Sequence, residues 1–93
     1  MTEITVEFTG SLISHAKVNE ATISLAENAD VVSLLKELEN KLGKGRLLTQ
    51  TGHSLAAKVL VLVNGVEVSV LLGLRTQLHH RDHVTLIPVS HGG

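Results

Sequence analysis

The sequence predicts one small α+β domain, a mixed sheet of four to five strands packed on one main helix. Three patterns carry this expectation. Apolar residues alternate with polar ones near the N-terminus, recur at steps of three and four from Val31 to Leu42, and gather again in short runs after Lys58. The chain of 93 residues has room for a single domain with a modest core, and a deep cleft with a lid is not expected.

In the first element Ile4, Val6 and Phe8 alternate with Thr5, Glu7 and Thr9, a strand with one buried face. Gly10 breaks it, and the polar segment 11–19 reads as a turn. Ala21, Ile23 and Leu25 then alternate with Thr22 and Ser24, so the two strands are expected to form an antiparallel hairpin. At Asp30 the period changes. Val31, Leu34, Leu35, Leu38 and Leu42 line one helical face, Asp30 is the N-cap, and Gly43 suits the C′ position. Residues 43–57 read as a long surface connection with one short turn at 46–49. The apolar run from Lys58 to Val63 suits a central strand covered on both sides, and Asn64-Gly65 ends it with a strong turn signal. Val66, Val68 and Val70 are expected to add a short strand, and Gly73 a further turn. Residues 84–89 form the last strand, where Pro88 points to an edge or a strand end. Residues 1–89 are thus the body, and Ser90-His91-Gly92-Gly93 is expected to be an exposed, mobile tail. The order β-β-α-β-β is the outline of a β-grasp domain.

Composition excludes several classes of function. Eight Lys/Arg against nine Asp/Glu leave no basic excess, so direct nucleic-acid binding is not expected. Phe8 is the only aromatic residue, which removes base-stacking platforms. The chain has no cysteine, and with it go disulfides, thiolate catalysis and cysteine-ligated zinc. No signal peptide and no membrane-spanning run is present, so a monomeric cytoplasmic protein is the expectation.

Chemistry is therefore sought at the end of the chain. Gly92 and Gly93 lack Cβ, so an extended diglycine can thread a narrow channel and bring a carboxylate beside ATP. Attack on the α-phosphate would give an acyl-adenylate, an electrophile open to sulfur or to an amine. No pair of carboxylates and no Ser/His/Asp set in the chain could perform this, so a separate enzyme is required. His79, His80 and His83, with Asp82 between the last two, could in principle ligate a metal. The preferred reading is a polar turn and no metal site, because spacing within a turn does not fix ligand geometry. Gly43-Lys44-Gly45-Arg46 lacks the phosphate-loop pattern and follows a helix instead of preceding one, so the chain itself is not expected to bind ATP or another cofactor. Leu60 and Leu62 alternate with Val59, Val61 and Val63, and Ile87 faces away from Leu86 and Pro88. Both faces of the sheet are then apolar, which marks either a protein interface or a surface under the long connection.

The stretch from Val61 to Gly93 resembles the ubiquitin-related modifiers that also serve as sulfur carriers. The shared features are Val61-Leu62-Val63-Asn64, Gln77-Leu78, Asp82-x-Val84 and the ending His91-Gly92-Gly93. MoaD, the small subunit of molybdopterin synthase, and ThiS of thiamine synthesis share them more loosely. Pro88 leans toward MoaD and His91 toward the modifiers, while His79-His80-Arg81 stands where those families favour acidic residues and glycine. The resemblance implies a ubiquitin-like β-grasp fold and a carrier, not an enzyme. It implies that an E1-like enzyme adenylates Gly93 and a sulfurtransferase converts it to a thiocarboxylate. The sulfur would go to 2-thiouridine in tRNA, or the tail would be joined to lysines of target proteins; the alternative is a MoaD-like subunit serving molybdenum cofactor synthesis. Gly92 supplies slenderness, His91 and Ser90 set reach, and Leu60, Leu62 and Ile87 are expected to dock the activating enzyme.

Overall fold

A computed structural model describes residues 1–10, 19–42 and 59–89. Strands β1 (Thr2–Phe8) and β2 (Glu20–Leu25) are followed by helix α1 (Val31–Leu42), then by β3 (Val59–Val63), β4 (Val66–Glu67) and β5 (His83–Pro88). The strands form one sheet in the order β2-β1-β5-β3-β4. β1 and β5 run parallel, with Val6 opposite Val84, and the remaining pairs are antiparallel. The first and last described strands are thus neighbours inside the sheet, and β5 ends at Pro88 between β1 and β3.

Period-two alternation sends Ile4, Val6 and Phe8 of β1, Ile23 and Leu25 of β2, Val59, Val61 and Val63 of β3, and Val84 and Leu86 of β5 into one core. Val31, Leu34, Leu35 and Leu38 of α1 close it and are fully buried. Removing such side chains from water stabilises the fold by about 1.5–3 kcal/mol each. Asp30 caps the helix, its Oδ1 accepting from the Ser33 N–H at 3.0 Å and the Ser33 hydroxyl at 2.9 Å. Segment 76–78 runs past the start of the helix, where Val31 N–H donates to Thr76 O and Leu78 N–H to Ala29 O.

The Asn64-Gly65 turn forms as the sequence predicts, with φ of +51° and +84°, and Val63 pairs with Val66 across it. Two expectations need correction. The valines after the turn do not continue as a strand: β4 ends at Glu67, and Val68–Val70 is a 3-10 turn. Glu67 causes this by accepting from both the backbone N–H and the hydroxyl of Ser69, which bends the chain away from β3. β3 is not a central strand covered on both sides, because only two residues of β4 pair along its outer flank and Leu60 stays exposed. Of the two places expected for Pro88 it takes the strand end, closing β5 between β1 and β3. The long connection with its turn at 46–49, the C′ glycine Gly43, the polar turn apart from Asn19, and the side chain of Leu42 lie outside the described residues.

Candidate functional site

The register of β3 against β5 assembles one apolar patch on the face of the sheet opposite α1. Leu60 is the cross-strand partner of Ile87, and Leu62 sits beside them opposite Thr85. Side chains directly opposite on one face touch, so three residues that the sequence scatters over 28 positions form one surface. Leu60 is 41% exposed, and Leu62 and Ile87 are half-buried. Val89, two residues beyond Ile87 and also 41% exposed, extends the patch toward the end of the chain. Sequence reasoning missed it, although the same alternation that gave Ile87 carries on to Val89. Ser90, His91, Gly92 and Gly93 lie outside the described residues, as does their expected mobility.

The end of β5 is fastened on both sides. Pro88 is in register with Val59 of β3. On the other side Leu86 O accepts from the Thr9 N–H at 3.2 Å and from the Thr9 hydroxyl at 3.0 Å. Gly10 then turns at φ +56° with its Cα against the Pro88 ring. Neither contact is visible in the sequence, since both depend on the parallel pairing of β1 with β5.

The histidine-rich turn is used by the fold. His80 Nδ1 accepts from the Glu3 N–H at 3.1 Å, His83 Nε2 meets Glu7 Oε1 at 2.9 Å, and the His79 N–H donates to Asp82 Oδ2 at 2.7 Å. Asp82 Oδ1 accepts from the Asn64 side-chain amide, whose oxygen in turn accepts from the His83 N–H. The rings of His80 and His83 are thus drawn to different partners, and among the described residues no three metal-ligating side chains converge. A second apolar surface lies apart from the patch. Val70, Leu71 and Leu72 line an open groove of about 810 Å³ with Arg75, Thr76, Gln77 and His79.

A sheet with its first and last strands parallel at the centre, one helix across one face and an apolar patch at the outlet of β5 can be compared with known proteins. The family model described as "ThiS family" matches residues 6–93. The chain belongs to the ThiS family. It is a ubiquitin-like β-grasp sulfur carrier, and the ThiS match includes the terminal Gly92-Gly93. Urm1 from Trypanosoma brucei is similar in structure, with 32% identity, a TM-score of 0.78, and coverage of 99% of this chain and 96% of that one. The small archaeal modifier protein 1 from Methanosarcina acetivorans is 27% identical, with a TM-score of 0.81 and coverage of 99% and 98%. A putative molybdopterin converting factor, subunit 1, from Pyrococcus furiosus is 25% identical, with a TM-score of 0.74 and coverage of 96% and 100%. No curated protein matches this ThiS-family chain by sequence. Among the described residues no helix is long and apolar enough to cross a membrane.

Proposed function

We propose that this chain is a protein modifier as well as a sulfur carrier, with residues 90–93 as the working tail of a β-grasp body spanning 1–89. An E1-like enzyme activates it at Gly93. The carboxylate attacks the α-phosphorus of ATP, pyrophosphate leaves, and the acyl-adenylate forms. The terminal sulfur of a persulfide on a sulfurtransferase then attacks the carbonyl carbon and displaces AMP, giving an acyl disulfide. A second partner thiol cleaves the S–S bond, forming a new disulfide and leaving a thiocarboxylate on Gly93. That group supplies sulfur for 2-thiouridine in tRNA, or the activated tail is joined to lysine amines of other proteins. The chain is the substrate in these steps and works in the cytoplasm as a monomer, in contact with neither membrane nor nucleic acid. Its lack of cysteine fits, because the sulfur rides on the carbonyl carbon.

The observation that carries this reading is the family match running through Gly92 and Gly93. The patch of Leu60, Leu62, Ile87 and Val89 supports it, since an apolar surface at the outlet of the tail is where an enzyme must grip to use that tail. Likeness to a small archaeal modifier protein supports the modifier role, while the tRNA role rests on the resemblance of residues 61–93 to the sulfur-carrying modifiers. A second reading, a MoaD-like subunit in molybdenum cofactor synthesis, is favoured by Pro88 and by likeness to the Pyrococcus furiosus converting factor.

Intact mass of the protein purified from its own organism tests the carrier state. Exchange of one carboxyl oxygen for sulfur adds about 16 Da, and a population wholly at the unmodified mass under thiol-protecting conditions would count against it. Deleting the gene separates the two readings: loss of tRNA 2-thiouridine supports the first, loss of molybdoenzyme activity alone the second.

A further inference from the structure

Gly10 meets two separate demands. Its φ of +56° lies in the left-handed region, which glycine enters freely and asparagine tolerates. The second demand is stricter. A Cβ at position 10 would lie 2.9 Å from Pro88 Cγ and 3.5 Å from Pro88 Cδ. The first distance is well inside van der Waals contact, and no side chain other than hydrogen satisfies it without displacement. Pucker can shift Cγ, but the Pro88 backbone that carries the ring has little freedom to yield. Its φ is locked by its own chemistry, Val59 holds it in register from β3, and Thr9 holds Leu86 two residues earlier.

We propose that Gly10 is a positioning residue for the C-terminal tail: its missing Cβ lets Pro88 seat against the chain leaving β1, and this sets the direction in which β5 releases Val89 and the residues beyond. The inference rests on the reading of Gly93 as the activated residue and deepens it. The patch of Leu60, Leu62 and Ile87 fixes where the body sits on an activating enzyme. The exit angle at Pro88 then sets where the path to the reacting carboxylate begins, and an error of an ångström at a reacting group can cost on the order of a hundredfold in rate.

Gly10→Asn separates the two demands, because asparagine accepts the backbone conformation but carries the Cβ. Pro88→Ala removes the Cγ that this Cβ would meet. ATP–pyrophosphate exchange is measured with the E1-like enzyme of the same organism, varying the carrier concentration. Gly10→Asn is expected to lower kcat about tenfold or more and to leave KM within about twofold, since Leu60, Leu62 and Ile87 of the docking patch are untouched. Gly10→Asn/Pro88→Ala is expected to regain most of the lost kcat. Thermal melts confirm that each variant is folded at the assay temperature. Full kcat in folded Gly10→Asn, or a loss that Pro88→Ala does not restore, overturns the proposal. If the wild-type chain is not adenylated at all, it is the reading of Gly93 that fails. The positioning is then tested alone by the residual dipolar coupling of the Val89 N–H, expected to change in Gly10→Asn and to return in the double variant; an unchanged coupling overturns it.

Discussion

Leu60 and Val61 are adjacent in sequence and opposite in consequence. Val61 is fully buried against the core, whereas Leu60 keeps 41% of its surface in water. Val61→Ala opens a cavity and is expected to cost about 1–3 kcal/mol, read from urea unfolding. Leu60→Ala is expected to stay within about 0.5 kcal/mol of wild type while raising the KM for adenylation; an unchanged KM would remove Leu60 from the docking patch. Glu67 shows how one exposed side chain redirects the backbone. Hydrogen bonds from the Ser69 hydroxyl and then the Ser69 N–H hold its carboxyl below the usual range. A carboxyl depressed in the folded state contributes stability above its unfolded pKa, and that contribution is lost as pH falls through the folded value. Ser69→Ala removes the larger cause, so carboxyl NMR should show Glu67 titrating at higher pH than in the wild type. No upward movement would mean that the hydroxyl bond is not populated in solution.

At the scale of elements, period and punctuation were legible, and so was the antiparallel β1–β2 hairpin, whereas the place of β5 between β1 and β3 was not. The helix announced itself through Val31, Leu34, Leu35 and Leu38, and Asp30 marked its start. Asp30→Ala is expected to cost about 1 kcal/mol, seen as a lower midpoint in thermal unfolding. The Val66, Val68, Val70 series misled because period two describes side-chain spacing and not backbone course. Val68 is buried while Val66 and Val70 are exposed, which one strand face could not give. The patch residues Leu60, Leu62 and Ile87 were legible as surplus apolar positions, but their meeting depends on a register that single strands do not encode. Nor does any local signal report that β5 lies between β1 and β3, and so the Gly10–Pro88 contact had no trace in the sequence. Asn64 combines both kinds of information. Its φ of +51° was written in the Asn-Gly pair, whereas its side-chain bonds to Asp82 and to the His83 N–H reach across to the start of β5. Asn64→Gly keeps the turn and deletes those bonds, and it is expected to cost about 1–3 kcal/mol in chemical denaturation. A neutral outcome would show that the turn alone holds the register.

At the scale of the whole molecule, the buried core and the end of the chain proposed to react are separate. Every buried core residue described lies between Ile4 and Leu86. A domain of this length holds roughly 5–14 kcal/mol in total, so one core truncation consumes a large share of it. The chemistry assigned to Gly93 lies beyond the last core residue and draws on partners for ATP, sulfur and acceptors. On the proposed function the body would have two tasks: to present an apolar grip at Leu60, Leu62 and Ile87, and to aim the tail from the fastened end of β5. These tasks should fail separately. Deleting Gly93 is expected to leave the thermal midpoint unchanged within error and to abolish adenylation, with the truncated chain still competing with wild type for the activating enzyme through the intact patch. Leu60→Asp is expected to do the reverse in part, weakening competition while leaving a tail that high enzyme concentrations still adenylate. A truncated chain that is adenylated as fast as the wild type would place the activated carboxyl elsewhere. One that no longer competes would show that the tail, and not the sheet face, supplies most of the binding.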